Sequence, residues 1–172
     1  MRPLIQPSDV SAYARKCDAD YDDVVRAIEE ATQLDVLPII GRATLELIAS
    51  MEPSHPVFLG GEFKDGCGGC REFAGLRKAL AYYAWGRLVK TNSNRLTRFG
   101  YVRKQGDNST VVSWEERQSD YHDAFAIAQG MLLDTVAYID AEIDKFPEFP
   151  RDCCGAKNNR GNGRVTIRII GK

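Results

Sequence analysis

A chain of 172 residues, 44% of them hydrophobic, is long enough for one domain with a core of its own and too apolar for wholesale disorder. Its 23 basic and 24 acidic residues leave a net charge of -1, which argues against a dedicated nucleic-acid binder while leaving room for a local basic patch. No long uncharged apolar run predicts a transmembrane helix, and the apolar stretch near Leu4 and Ile5 is too short for a signal peptide, so the expectation is a protein made in a cytoplasm or packaged from one.

In chain order, Ser8 and Asp9 open a short helical stretch to Tyr13, with Ser8 as its predicted cap. A stronger helix is predicted from Asp20 to Thr32. Val24, Val25, Ile28 and Ala31 recur at helical spacing, and Asp22 and Asp23 suit the positive end of the helix dipole. Pro38 lacks an amide hydrogen and clashes with the preceding turn, so it should break the chain and start a second helix running to Met51, with Leu45 and Ile48 inward. Residues 52–71 hold Pro53, Pro56 and five glycines and read as a loop. A long helix from Glu72 to Thr91 buries Phe73, Leu76, Leu80, Tyr83, Ala84 and Leu88, while Ala79, Ala81 and Ala84 permit close packing.

Residues 92–113 differ in kind. Phe99, Tyr101, Val102, Val111 and Val112 favour strands and flank Gln105-Gly106-Asp107-Asn108, which predicts an extended arm or β-hairpin about that turn. Ser113-Trp114-Glu115-Glu116 fits a capping box and opens the longest helix, to Phe146, ended by Pro147 and Pro150. The tail is polar and Gly-rich to Gly163, and residues 165–170, Val-Thr-Ile-Arg-Ile-Ile, alternate like a strand. The predicted fold class is therefore mainly α: a single domain over residues 1–172, built as a bundle of about four helices with a projecting hairpin-like arm and a short C-terminal strand.

Among residues that might carry chemistry, Cys67-Gly68-Gly69-Cys70 is the sharpest motif. A tight C-x-x-C loop can bring two thiolates to one zinc ion, and Cys153-Cys154 could complete four ligands. Adjacent cysteines diverge, however, and the usual second C-x-x-C is missing, so loop thiols without a metal are the preferred reading. A redox dithiol would want a thioredoxin-like sheet that the pattern lacks. With Cys17, the cysteines number five, and together with the missing signal peptide this odd count does not describe a secreted disulfide framework. His55 and His122 read as surface histidines without a nucleophile partner, and Glu29-Glu30 and Glu115-Glu116 as solvated or dipole-matched acids. No phosphate-binding glycine motif is found. The expectation is no enzyme, no catalytic residue, no metal and no cofactor.

The arm carries the most distinctive surface. Arg95, Arg98, Arg103 and Lys104 surround Phe99 and Tyr101, a composition common at interfaces and also compatible with single-stranded nucleic acid. Arg98, Phe99, Tyr101, Arg103 and Lys104 are the predicted oligomer or partner contacts, through a hairpin edge that can extend a neighbour's sheet. A hairpin folded against its own bundle is the plain alternative.

Asp35-Val36-Leu37-Pro38-Ile39-Ile40-Gly41, Gly75-Leu76-Arg77-Lys78-Ala79-Leu80-Ala81-Tyr82-Tyr83-Ala84-Trp85 and Thr97-Arg98-Phe99-Gly100-Tyr101-Val102-Arg103-Lys104 follow one another with a long helix and a Cys-containing tail behind them. In order and spacing they resemble the head–tail connectors, or adaptor and head-completion proteins, of Bacteroidetes tailed phages and prophages. The resemblance runs from about Asp20 to Phe146 and more weakly into the tail. It implies a helical core with a projecting hairpin, and a homo-oligomeric ring, commonly a dodecamer, docked between portal and tail proteins in the virion. DNA would pass through the lumen without sequence-specific binding, and no membrane would be involved. The alternative is a small zinc- or thiol-dependent binding protein using Cys67, Cys70, Cys153 and Cys154.

Overall fold

The computed structural model describes residues 3–17, 19–64, 68–91, 94–97, 100–103 and 113–149. Its order is α1 (Pro7–Tyr13), α2 (Tyr21–Ala31), a π-helical turn (Thr32–Val36), α3 (Leu37–Ile40), α4 (Arg42–Ser50), α5 (Pro56–Leu59), β1 (Gly61–Lys64), β2 (Cys70–Phe73), α6 (Leu76–Thr91), β3 (Asn94–Thr97), β4 (Gly100–Arg103), α7 (Trp114–Ala141) and a 3-10 turn (Ile143–Lys145). The protein is mainly α: α2, α4, α6 and α7 are its four longer helices, and the strands form two separate antiparallel hairpins.

Helix α6 is the axis of the core. It packs along α7 on one side and against α1 and α2 on another. Its buried residues include Leu76, Ala79, Leu80, Tyr83, Ala84, Trp85 and Leu88, which nearly encircle it, as a helix covered on several sides requires. Small residues set the approach of α7. A β-carbon added at Gly86 would meet the Ala124 β-carbon at 3.4 Å. From α7, Ala124, Ala128, Leu132, Thr135, Tyr138 and Ile139 are buried. By length and composition α7 is also the one described helix able to cross a bilayer. In the fold one face of it lies along α6, with Leu132, Thr135 and Ile139 wholly buried.

Several boundaries differ from the sequence expectation, each for a local reason. Helix α1 starts at Pro7, and the Gln6 amide donates to Asp9 Oδ2 at 2.7 Å, so Ser8 lies inside the first turn and Gln6 takes the cap position. Pro38 does not break the chain. The preceding turn widens into a π turn, in which the Leu37 amide donates to the Thr32 carbonyl, and this loosened turn accommodates the proline. The Thr32 hydroxyl donates to the Ile28 carbonyl at 2.8 Å in the same turn. The break falls at Gly41, whose φ of 84° suits glycine, and α4 follows with Leu45 and Ile48 fully buried.

The segment 52–71, expected to be loop, contains α5, all of β1 and the start of β2. Gly61 pairs with Phe73, Glu62 with Glu72, Phe63 with Arg71 and Lys64 with Cys70. Phe63 and Phe73 turn inward, and Phe73 stacks on Tyr138 of α7 with centroids 4.4 Å apart. Because Glu72 and Phe73 belong to β2, α6 begins at Leu76. Gly60 and Gly75 let the two ends of this hairpin unit cross: a β-carbon on Gly75 would lie 2.4 Å from the Phe58 carbonyl oxygen, and Gly75 has φ 84°.

The Ser113 capping box forms as expected. Ser113 Oγ accepts from the Glu116 amide at 3.1 Å, and the Ser113 amide donates to Glu116 Oε2 at 2.9 Å. The helix ends at Ala141, short of Phe146, and a 3-10 turn carries the chain to Phe146, which is fully buried. The expected strand at 165–170 and the polar, Gly-rich stretch before it lie outside the described residues.

Candidate partner interface: the inserted hairpin and its base

Between α6 and α7 the chain makes the β3–β4 hairpin. Asn94 pairs with Arg103, Arg95 with Val102, Leu96 with Tyr101 and Thr97 with Gly100. The described pairing thus joins 94–97 to 100–103, and the turn expected at 105–108 lies outside the described residues. Tyr101 and Val102, expected to favour a strand, lie in β4 opposite Leu96 and Arg95, and Val111 and Val112 lie outside the described residues. Among the described residues, the principal packing partner of each strand of this hairpin is the other strand. Of the predicted contact residues, Tyr101 and Arg103 lie on β4, whereas Arg98, Phe99 and Lys104 fall outside the described residues.

Below the hairpin, the last turn of α6 meets the first turns of α7 around an open groove of about 170 Å³ lined by Lys90, Trp114, Arg117, Gln118, Tyr121 and His122. The Lys90 ammonium stands 4.8 Å from the Tyr121 ring centre, and the Arg117 guanidinium 5.9 Å from the Trp114 ring. Trp114 is half exposed. His122 is exposed and its Nε2 lies 3.3 Å from Gln118 Nε2, so it contributes a surface hydrogen bond. The groove thus places cations against aromatic faces at the foot of the hairpin.

A second polar centre was not legible from spacing. Arg87 of α6 donates from Nε to Asp35 Oδ2 at 3.0 Å and from Nη2 to Asp35 Oδ1 at 2.9 Å, while Nη1 reaches Glu30 Oε2 at 3.4 Å. Asp35 belongs to the π turn, and its side chain is only 7% exposed. Burial raises the Asp35 carboxyl above its ordinary 3.8, opposed by the hydrogen bond and charge of Arg87. Burial, then the charge of Asp35, also raises the nearby Tyr83 phenol. The arrangement pins the π turn to α6.

The other expected sites resolve simply. His55 is half-buried and caps α5: its Nδ1 accepts from the Val57 amide at 3.2 Å, and its ring meets Phe146 edge-on. Burial lowers its pKa below 6.5, helped by Lys145 and opposed by Glu142. Glu30 pairs with Arg87 and Glu116 caps α7. Of the four loop and tail cysteines only Cys70 is described. Its exposed thiol sits 3.7 Å from Glu62 Oε2, and its pKa is raised by desolvation and by that carboxylate. Since the residue is exposed, the carboxylate is the cause that carries weight, and it opposes a thiolate. Among the described residues no three His, Cys, Asp or Glu side chains gather as a metal site.

A mainly helical bundle carrying two small hairpins, one of them inserted between its longest helices, is the class that this fold defines. The chain belongs to a family of unknown function, DUF6712, which it matches over residues 38–159. That span runs from Pro38 in α3 through both hairpins and α7. No curated protein and no solved structure matches the chain.

Proposed function

We propose that this chain is a structural virion protein, a head–tail connector that assembles as a ring between portal and tail proteins and lengthens the DNA channel. The observation that carries the reading is the β3–β4 hairpin, inserted between α6 and α7 and paired chiefly with itself. A ring closes through heterologous contacts, in which one surface of a subunit meets a different surface of the next. A hairpin anchored on the two best-packed helices supplies one such surface, through its edge or its arginine and aromatic residues. The groove of Lys90, Trp114 and Tyr121 at its foot extends that surface onto the helical body. A net charge of -1 suits a wall past which DNA must slide, since dense lysine and arginine would hold it.

The test is co-sedimentation of the chain with the portal protein encoded by the same genome. The wild type is expected to sediment with the portal, whereas a variant carrying Phe99→Ala, Tyr101→Ala and Arg103→Glu should stay unbound while keeping its helical circular dichroism. Equal binding by both proteins would remove the arm from the interface.

A further inference from the structure

Two half-buried arginines of α6 differ in one respect. Arg87 is paired with Asp35 and Glu30, whereas none of the ion pairs among the described residues includes Arg77. Arg77 lies in the first turn of α6 beside Lys78, and that turn holds no acid to balance the positive end of the helix dipole. Its guanidinium covers the Phe58 ring, 5.5 Å from the ring centre. Its Nε is sealed from solvent without a hydrogen-bond partner, an arrangement that buried polar groups normally avoid. The donors that a ligand can reach are therefore its two terminal nitrogens.

Arg77 forms one wall of a pocket of about 220 Å³ between the start of α1, the end of α4 and α5. Leu4, Met51, Pro53 and Phe58 give this pocket an apolar lining, and Asp9 stands in it as well. Asp9 Oδ2 accepts from the Gln6 amide at 2.7 Å, which leaves Oδ1 as an acceptor. Each feature narrows the ligand. The planar guanidinium matches a carboxylate. The Asp9 carboxylate repels a multiply charged anion such as phosphate and favours a group that also brings an N–H. The lining favours an apolar side chain. The volume falls below the about 300–1,000 Å³ of pockets that enclose drug-sized ligands, so it suits a single residue. A carboxylate, an N–H and a side chain on one small unit describe the last residue of a polypeptide.

We propose that this pocket binds the C-terminal residue of a partner polypeptide that ends in an apolar amino acid. The terminal carboxylate meets the Arg77 guanidinium, the amide N–H of the same residue donates to Asp9, and its side chain lies against Leu4 and Met51. This inference stands apart from the connector reading.

The test is an NMR titration of the full-length chain with N-acetyl-leucine, which carries all three features. It should shift the amides of Asp9, Met51 and Arg77 saturably, with a dissociation constant of about 1 mM, the scale expected of a ligand of this size. N-acetyl-leucinamide, which lacks the charge, should bind about tenfold more weakly or less. The free acid 4-methylpentanoate, which lacks the N–H, should bind several-fold more weakly, and inorganic phosphate should give no saturable shift. Arg77→Gln should abolish the response and Arg77→Lys should weaken it, with the α7 amides unchanged in both as the control for folding. No saturable shift at a tenfold higher concentration of N-acetyl-leucine overturns the proposal. Equal binding of the amide, or equal binding by a folded Arg77→Gln or Arg77→Lys chain, removes Arg77 from the site and has the same consequence. Equal or tighter binding of 4-methylpentanoate or phosphate makes the pocket a general anion site and overturns the assignment to a polypeptide end.

Discussion

Replacing Arg87 with methionine keeps most of the aliphatic stem of α6's one side chain that forks onto Asp35, and removes its charge. The Asp35 side chain is 7% exposed and Arg87 18%, so the carboxylate would remain largely out of water without its partner. Breaking a buried pair from one side costs about 3–5 kcal/mol. The rim residue Glu30 is solvated, with its side chain 42% exposed, so we take the lower end, about 3 kcal/mol. For a chain of this size that lowers the thermal midpoint by about 6–12 °C. Urea unfolding followed by circular dichroism, at neutral pH, measures the change. The double variant Asp35→Leu/Arg87→Met should recover most of the loss, because no stranded charge remains. A single-variant cost below about 0.5 kcal/mol, or a double-variant cost equal to the sum of the singles, refutes the coupling. The pH dependence gives an independent check. The folded pKa of Asp35 is raised, so its contribution to stability is full below pH 3.8 and is lost as pH rises through the folded pKa. The stability difference between wild type and Asp35→Asn should therefore shift in favour of wild type as pH falls toward 3.8.

Gly75→Ala should destabilise by about 3 kcal/mol or more, since it forces a β-carbon at φ 84° to within 2.4 Å of the Gly60 amide nitrogen. Gly130→Ala, in the open on α7, should instead stabilise by about 0.5–1 kcal/mol in the same urea assay. Thr44 is fully buried and its hydroxyl has no hydrogen-bond partner among the described residues, so Thr44→Val should raise stability by about 1 kcal/mol; a loss of that size would reveal a bond from elsewhere in the chain. His55 has a lowered folded pKa, so its contribution is full above pH 6.5 and is lost as pH falls through the folded pKa. An NMR titration should place its midpoint below 6.5, and a midpoint above that value would contradict the cap it makes through Nδ1.

The parts of the fold that were legible in the sequence are those set by local chemistry. The apolar stripe of α6, the Asp20 start of α2 and the Ser113–Glu116 box depend on residues within a few positions of one another. The β1–β2 hairpin was hidden because its strands have four residues each and sit among glycines and prolines, which read as loop. Its inward residues, Phe63 and Phe73, acquire their role from Tyr138 of α7, far along the chain. Pro38 misled for a related reason: a proline rule assumes a regular α turn, and the π turn at Thr32–Val36 changes the geometry it would clash with. The Arg87–Asp35 clamp joins residues 52 positions apart, beyond any spacing pattern. At the candidate interface, the hairpin's existence between α6 and α7 was legible, but the register of its strands was not. Gln105-Gly106-Asp107-Asn108 carries the strong turn composition, and it drew attention away from the pairing of 94–97 with 100–103, whose short strands hold few apolar residues.

The measurement that bears most directly on the proposed role is electron microscopy of the purified chain mixed with the portal protein of its own genome. The account predicts a rotationally symmetric ring of this chain seated on the portal, with the β3–β4 hairpin of each subunit against a neighbouring subunit or the portal. Portal particles that carry no added density across a range of salt and protein concentration would contradict it.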